Sequence, residues 1–148
     1  MSEKRFHASI VTPEGKVFEG EVSGVRVPGS EGSFEMKAGH APIVSALEVG
    51  HIRILSGDED PRHFAVSYGF VEMSENRLTI LAESAEYVED IDVARAREAK
   101  ERALMRMRDN KSPNMNYERV LKALKRADNR LKIAERYSRA HLEATRAE

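Results

Sequence analysis

The feature that most constrains this chain is a change of pattern near residue 90. All nine glycines lie at or before Gly69, and four of the five prolines precede residue 70. Such punctuation divides the first ninety residues into short pieces and excludes long helices there. The pieces read as strands: 5-RFHASIV-11, 21-EVSGVRV-27, 43-IVSAL-47, 51-HIRIL-55, 63-HFAVSYGFVEM-73 and 77-RLTILAE-83. Phe6, Ala8 and Ile10 alternate with His7, Ser9 and Val11, as a strand with one buried face requires. Met73 to Arg77 has the composition of a hairpin tip between two pairing strands. Two packed antiparallel sheets, or a distorted barrel, can accommodate such pieces.

From Ile91 onward glycine is absent, and 92-DVARAREAKERALMRMRDN-110 consists mostly of good helix formers. Ala96, Ala99, Ala103 and Met107 form a narrow apolar stripe, with Asp90 or Asp92 suited to the positive end of the helix dipole. The stretch 109-DNKSPNMN-116 reads as a turn in which Pro113 ends the first helix. Asn116 is the expected cap of a second. Val120, Leu124, Ala127, Leu131 and Ala134 follow at spacings of four and three, which suits a helical hairpin or a seam with a partner helix. The predicted fold class is therefore an all-β amino-terminal sandwich or flattened barrel, residues 1–87, followed by an antiparallel two-helix hairpin, residues 88–148.

Composition matters where it excludes. Among 148 residues there is no cysteine, so disulfides and thiolate chemistry are ruled out. No apolar run reaches the roughly 18 residues of a membrane span, and the start, MSEKRFHASIV, lacks the apolar segment of a signal peptide. The net charge of -1 hides a division. Residues 1–90 carry 8 Lys/Arg against 16 Asp/Glu, or -8, and residues 91–148 carry 16 against 9, or +7. The basic segment has Tyr117 and Tyr137 as its only aromatics and no nucleic-acid-binding motif, so a protein partner or self-docking is expected and nucleic acid is not.

Candidate chemistry is sparse. His40 lies in 39-GHAPIVSAL-47, where Gly39 permits a tight bend and Pro42 holds Ala41 extended. No carboxylate can be assigned to orient it as a base, so a turn role is expected. His7, His51, His63 and His141 form no HExxH motif; His51 and His63 are the best candidates for a pair. Ser67, in 65-AVSYG-69, lacks the setting of a nucleophile elbow. The string 29-GSEG-32 is a turn without the Lys-Ser/Thr of a phosphate loop. Glu31 and Glu35 are a candidate acid/base pair, but acidic loops are common and solvated carboxylates are the expectation. No catalytic residue and no metal site is expected. The residues alone favour a non-enzymatic β module with a helical arm; a small enzyme is the competing class.

Ordered motifs then narrow the reading. Val27-Pro28-Gly29-Ser30-Glu31-Gly32, Gly39-His40-Ala41-Pro42-Ile43-Val44 with Leu47 and Gly50, Gly69-Phe70-Val71-Glu72 and Leu78-Thr79-Ile80-Leu81-Ala82 together resemble the epsilon subunit family of the rotary proton-translocating ATP synthase, called delta in mitochondria. The resemblance continues through the helical tail. It departs where the family has a glycine pair and this chain has Tyr68-Gly69, and where Phe34-Glu35-Met36-Lys37 replaces a Gly-Ile/Val-x-Pro type of sequence.

The resemblance implies about ten strands and a non-catalytic central-stalk subunit that couples rotation of the c-ring to the gamma subunit. It implies contact with the membrane only through the complex, on the cytoplasmic face of a bacterial inner membrane, with a chloroplast thylakoid as the alternative. Glu31 is expected near the polar loops of the c-ring, with His40 and Pro42 supporting the interface on the same side. The basic tail, with Arg119, Lys122, Arg126, Arg130 and Arg136 as charge carriers, is expected to extend toward the alpha and beta subunits and inhibit ATP hydrolysis. Residues 91-IDVARA-96 match the family's I/L-D-x-x-R-A motif. No cofactor is required, but the resemblance implies a regulatory ATP held by Ile91, Asp92, Arg95 and Ala96 with Arg126 and Arg130. A β-sheet interaction module outside the ATP synthase is the alternative function.

Overall fold

A computed structural model describes residues 4–109 and 116–139. The chain divides into two compact units, Met1–Val88 and Glu89–Glu148. The first contains β1 (Phe6–Thr12), β2 (Gly15–Val22), β3 (Gly24–Gly29), β4 (Gly32–Lys37), β5 (Ile43–Leu47), β6 (Gly50–Leu55), β7 (Arg62–Ser74) and β8 (Arg77–Tyr87). Strand order is β2-β1-β8-β7-β5-β3-β4, with β6 paired to β3 and β7. All pairings are antiparallel except β1 with β8, which is parallel.

Eight strands stand where about ten are expected, and the long ones explain the difference. The first half of β7 pairs with β6, and its second half pairs with β5. Both halves pair with β8. Each long strand therefore serves two layers, so five strand segments fall in each layer. The first layer is β2, β1, the start of β8, the end of β7, and β5. The second is the end of β8, the start of β7, β6, β3 and β4. The switch occurs at Tyr68 and Gly69, where φ is +46° and +150°. Phe64 and Val66 face the core before it, and Val71 and Met73 face the core after it. This parity change reverses which face of the strand is buried.

Two strands missing from the sequence reading, β2 and β4, are the edges of the path. Their exposed, charged and glycine-bearing sequences protect open edges but weaken the apolar pattern. The core between the layers includes Phe6, Ile10, Met36, Ile52, Ile54, Leu78 and Ile80, each at most 1% exposed. Burying a side chain of this size contributes roughly 1.5–3 kcal/mol. The β7–β8 hairpin turns on Glu75 and Asn76, with φ of 52° and 57°, the left-handed pair that a tight type I′ hairpin needs.

In the second unit a short 3-10 turn, Val88–Asp90, leads to α1 (Val93–Arg108) and α2 (Tyr117–Tyr137). Asp92 caps α1 and Asn116 caps α2, each side chain accepting from the backbone N–H three residues on. Ala96 and Ala103 are buried on α1, and Val120, Ala127, Ile133 and Ala134 on α2. Leu124 and Leu131 are only half-buried, and Ile133 takes a place that the spacing of four and three does not mark. Asp128 joins the helices, accepting from Lys100 at 3.0 Å while pairing with Lys132 at 2.9 Å. These two ammonium groups hold its carboxyl below the usual range. The expected turn at 109–116 lies largely outside the described residues.

Candidate functional site

The outer face of the first layer carries a row that strand register assembles from distant sequence. Ala46 pairs with Phe70, Phe70 with Leu81, and Leu81 with Val11. All four therefore point away from the core on neighbouring strands. Phe70 is 59% exposed, Leu81 55%, and Val44, two residues from Ala46 on the same face, 70%. Polar positions flank the apolar row: Glu72 and Thr79 are in register on β7 and β8, and Ser9 and Glu19 continue across β1 and β2. Contiguous exposed apolar side chains on neighbouring strands mark a docking surface more often than chance. In sequence, Val44, Phe70 and Leu81 resemble core residues. Only their parity against buried Val71 and Ile80 marks them as outward-facing.

The expected interface residues do not share one end of the sandwich. Glu31 is exposed in the two-residue turn between Gly29 and Gly32. His40 and Pro42 follow β4 at its other end, about 20 Å away for a six-residue strand. Glu31 and His40 thus flank opposite ends of β4. Glu31 and Glu35 are likewise separated, because Glu35 lies within β4 opposite Arg26. His40 is part of a turn: Gly39 has φ of +82°, its N–H donates to Asn76 Oδ1 at 2.7 Å, and His40 N donates to Lys37 O. The His40 ring Nδ1 donates to Ala41 O at 2.7 Å. The imidazole thus braces the loop that Asn76 ties to the β7–β8 hairpin.

His51 and His63 do meet. Nε2 of His51 stands 2.8 Å from Nδ1 of His63, with ring centroids 5.0 Å apart and planes 22° apart. The rings meet edge to edge, so at this contact one nitrogen donates and the other accepts. Burial depresses the His51 pKa to about 4, reinforced by His63, Arg53 and Arg26. His63 is lowered by burial and by Arg53. Ser67 pairs with Ser84 through their hydroxyls on the same outer face. Among the described residues, no cluster of three or more His, Asp or Glu side chains could hold a metal ion.

In the helical unit the motif residues play structural parts. Ile91 is 9% exposed and Ala96 is buried, while Asp92 Oδ1 accepts the backbone N–H of Arg95 as the helix cap. Between the helices runs a groove of about 860 Å³ lined by Arg102, Arg106, Arg119 and Arg126, with Asp109, Ala103 and Val120. The Lys100–Asp128 pair fixes the helix register. From it, Arg95 and Arg126 sit at levels seven residues apart, about 10 Å along the axis. The structure therefore groups Arg126 with three arginines and leaves Arg95 at a distance. Arg126 and Arg130 lie one turn apart on α2, but Arg130, Lys122 and Arg136 do not line the groove.

The sequence profile of the beta-sandwich domain of the ATP synthase delta/epsilon chain matches residues 5–88, and that of its long alpha-helix domain matches residues 89–135. The ATP synthase epsilon chain of Halalkalibacterium halodurans is 46% identical over 130 residues, 88% of this chain and 97% of that one. That of Nitratidesulfovibrio vulgaris is 42% identical over 131 residues, 88% of this chain and 96% of its own length. A chain of the Euglena gracilis mitochondrial ATP synthase superposes with a TM-score of 0.71 at 18% identity, covering 98% of this chain and 83% of that one. A chain of the Tetrahymena thermophila central stalk and c-ring gives 0.56 at 14% identity, covering 90% and 99%. At such identities the likeness to the solved structures is one of fold.

Proposed function

The chain belongs to the ATP synthase delta/epsilon family, and on that premise we propose that its sandwich docks on the gamma subunit through the row Val44, Ala46, Phe70, Leu81 and Val11. It is a non-catalytic central-stalk subunit of the complex. The observation that carries the docking assignment is the register that gathers these apolar side chains on an exposed face. In this reading Glu31 reaches the polar loops of the c-ring from the β3–β4 turn. His40 and Pro42, at the other end of β4, shape a separate loop. No described helix is long and apolar enough to cross a membrane. In this reading the chain meets the membrane through the complex, on the cytoplasmic face of a bacterial inner membrane. Co-purification of the full chain with gamma tests the docking; a chain that stays monomeric beside folded gamma overturns it.

The tail acts as a brake on ATP hydrolysis, extending toward the alpha and beta subunits with Arg119, Lys122, Arg126, Arg130 and Arg136 as its charges. Its support is a hairpin that buries mostly small side chains, and such helices can exchange partners. Removing residues 91–148 from the assembled complex should raise ATP hydrolysis several-fold without affecting the binding of the sandwich. Unchanged hydrolysis counts against the brake.

The hairpin also holds a regulatory nucleotide. Its phosphates sit among Arg102, Arg106, Arg119 and Arg126, which line one groove and can form charge-assisted bonds. Asp92 and Arg95, exposed at the start of α1 above the buried Ile91 and Ala96, meet the other end of that elongated ligand, and Arg130 flanks the phosphates one turn from Arg126. Calorimetric titration with ATP should show binding weakened about tenfold by Arg126→Ala or Arg102→Ala, and less by Arg95→Ala. Absence of heat at millimolar ATP rejects the site.

A further inference from the structure

The outer face of the second layer carries charge that the stalk function does not use. Arg26 on β3 and Arg53 on β6 are directly opposite each other. Side chains so placed have Cβ atoms about 4.5–5.5 Å apart, and like charges there repel. Glu35 on β4 is in register with Arg26, yet its Oε2 stands 3.9 Å from Arg53 Nη2, beyond hydrogen-bond reach. Arg53 Nε is buried and has no acceptor among the described residues. Arg26 is exposed and forms no ion pair among them. On the next strand His63 is in register with Arg53, and its Nδ1 meets Nε2 of His51. With lowered pKa values the imidazoles are neutral and the arginines are not, so two positive charges stand side by side with one distant carboxylate between them.

We propose that Arg26 and Arg53 form a two-pronged receptor for a tetrahedral oxyanion, inorganic phosphate or the terminal phosphoryl group of a soluble phosphate ester. Two adjacent guanidinium forks offer paired N–H groups matched to such oxygens. The Arg53 side chain is 34% exposed and its Nε is buried, so the group it meets must be small enough to settle between the strands. Glu35 is the competing anion. Its long contact with Arg53 is weak enough to be displaced, and its charge sets the affinity low. The histidines register occupancy. Arg53 lowers the pKa of both and Arg26 lowers that of His51, so an anion that neutralises the arginines should raise both pKa values. Glu86 on β8, in register with Ala65 beside His51, is the remaining ionisable group facing them from the adjoining strand.

The test is an NMR titration of the full chain with inorganic phosphate at constant ionic strength, following the Arg53 Nε–H and the His51 and His63 ring signals. Saturable shifts in the millimolar range are expected. Arg26→Gln should weaken binding about tenfold, and Glu35→Gln should tighten it. Lys16→Gln, on the exposed edge strand β2 of the first layer, should leave the titration unchanged. Arg26 and Glu35 are accessible, so both variants should fold, which a melting curve checks; Arg53→Gln is then a third variant rather than the only one. The proposal is overturned if shifts are linear, if chloride reproduces them, or if Arg26→Gln does not alter them. Binding to phosphatidylglycerol vesicles without a response to free phosphate would also overturn it, because the group recognised would then be a lipid headgroup.

Discussion

Replacing Gly69 with alanine is expected to unfold much of the sandwich. A Cβ at this position would lie 1.9 Å from Leu81 O and 2.8 Å from Ala82 Cα. Both are backbone atoms of the adjoining strand, so no side-chain rotation can relieve the overlap. Moving them apart would break the β7–β8 ladder where the two strands change layers. The φ of +150° adds strain of its own for any residue with a Cβ. Together these predict a loss of about 3–5 kcal/mol, a large share of the 5–15 kcal/mol that holds a typical domain. Urea denaturation of the full chain, followed by far-UV circular dichroism, measures it; an unchanged midpoint would show that the strands separate freely here. Tyr68→Gly is the informative partner. Tyr68 is held at φ +46°, where a side chain costs roughly 1–2 kcal/mol, so glycine there should lose less than about 1 kcal/mol despite its greater freedom when unfolded. The glycine pair expected at this point from the family resemblance makes physical sense, since both residues have positive φ.

What could be read from the sequence follows from which interactions are local. The β7–β8 hairpin was legible because Glu75 and Asn76 lie between two alternating runs. The helix cap Asn116 was legible for the same reason, since it bonds only three residues ahead, whereas Asp92 was one of two acids placed near the start of α1 and its capping bond emerged with the structure. The edge strands β2 and β4 were not, because a strand paired on one side can be polar and still hold its place. Ile133 escaped because a regular apolar spacing assumes one straight stripe, and the face buried on α2 is wider. At the candidate sites the distinction is similar. His51 and His63 could be nominated as a pair from composition, but their ring contact depends on the β6–β7 register. The separation of Glu31 from His40 required knowing that β4 runs straight between them. The arginine groove required the register that Lys100 and Asp128 set between the helices.

Substituting Phe70 with glutamate should abolish docking on gamma while leaving the sandwich intact. Phe70 is 59% exposed and lies between Ala46 and Leu81 in the apolar row. In the free chain a carboxylate there remains in water, so the melting temperature should change little. On docking, the same carboxylate would have to shed its water at the centre of an apolar contact without a partner, which is strongly unfavourable. Removing a central aromatic anchor commonly costs 2 kcal/mol or more, about 30-fold in affinity, and the added charge should carry the loss beyond 100-fold. Leu81→Glu should behave alike, since it adjoins Phe70 in register, whereas Glu83→Gln, outside the row, should bind as the unaltered chain does. Calorimetric or interferometric binding to purified gamma separates the outcomes. Full-strength binding by folded Phe70→Glu would move the interface to another face, and the parity change at Tyr68-Gly69 would then serve the core alone. If binding is lost, the same bend that closes the core also turns Phe70 outward, so one glycine governs both the packing of the sandwich and the surface it presents to the stalk.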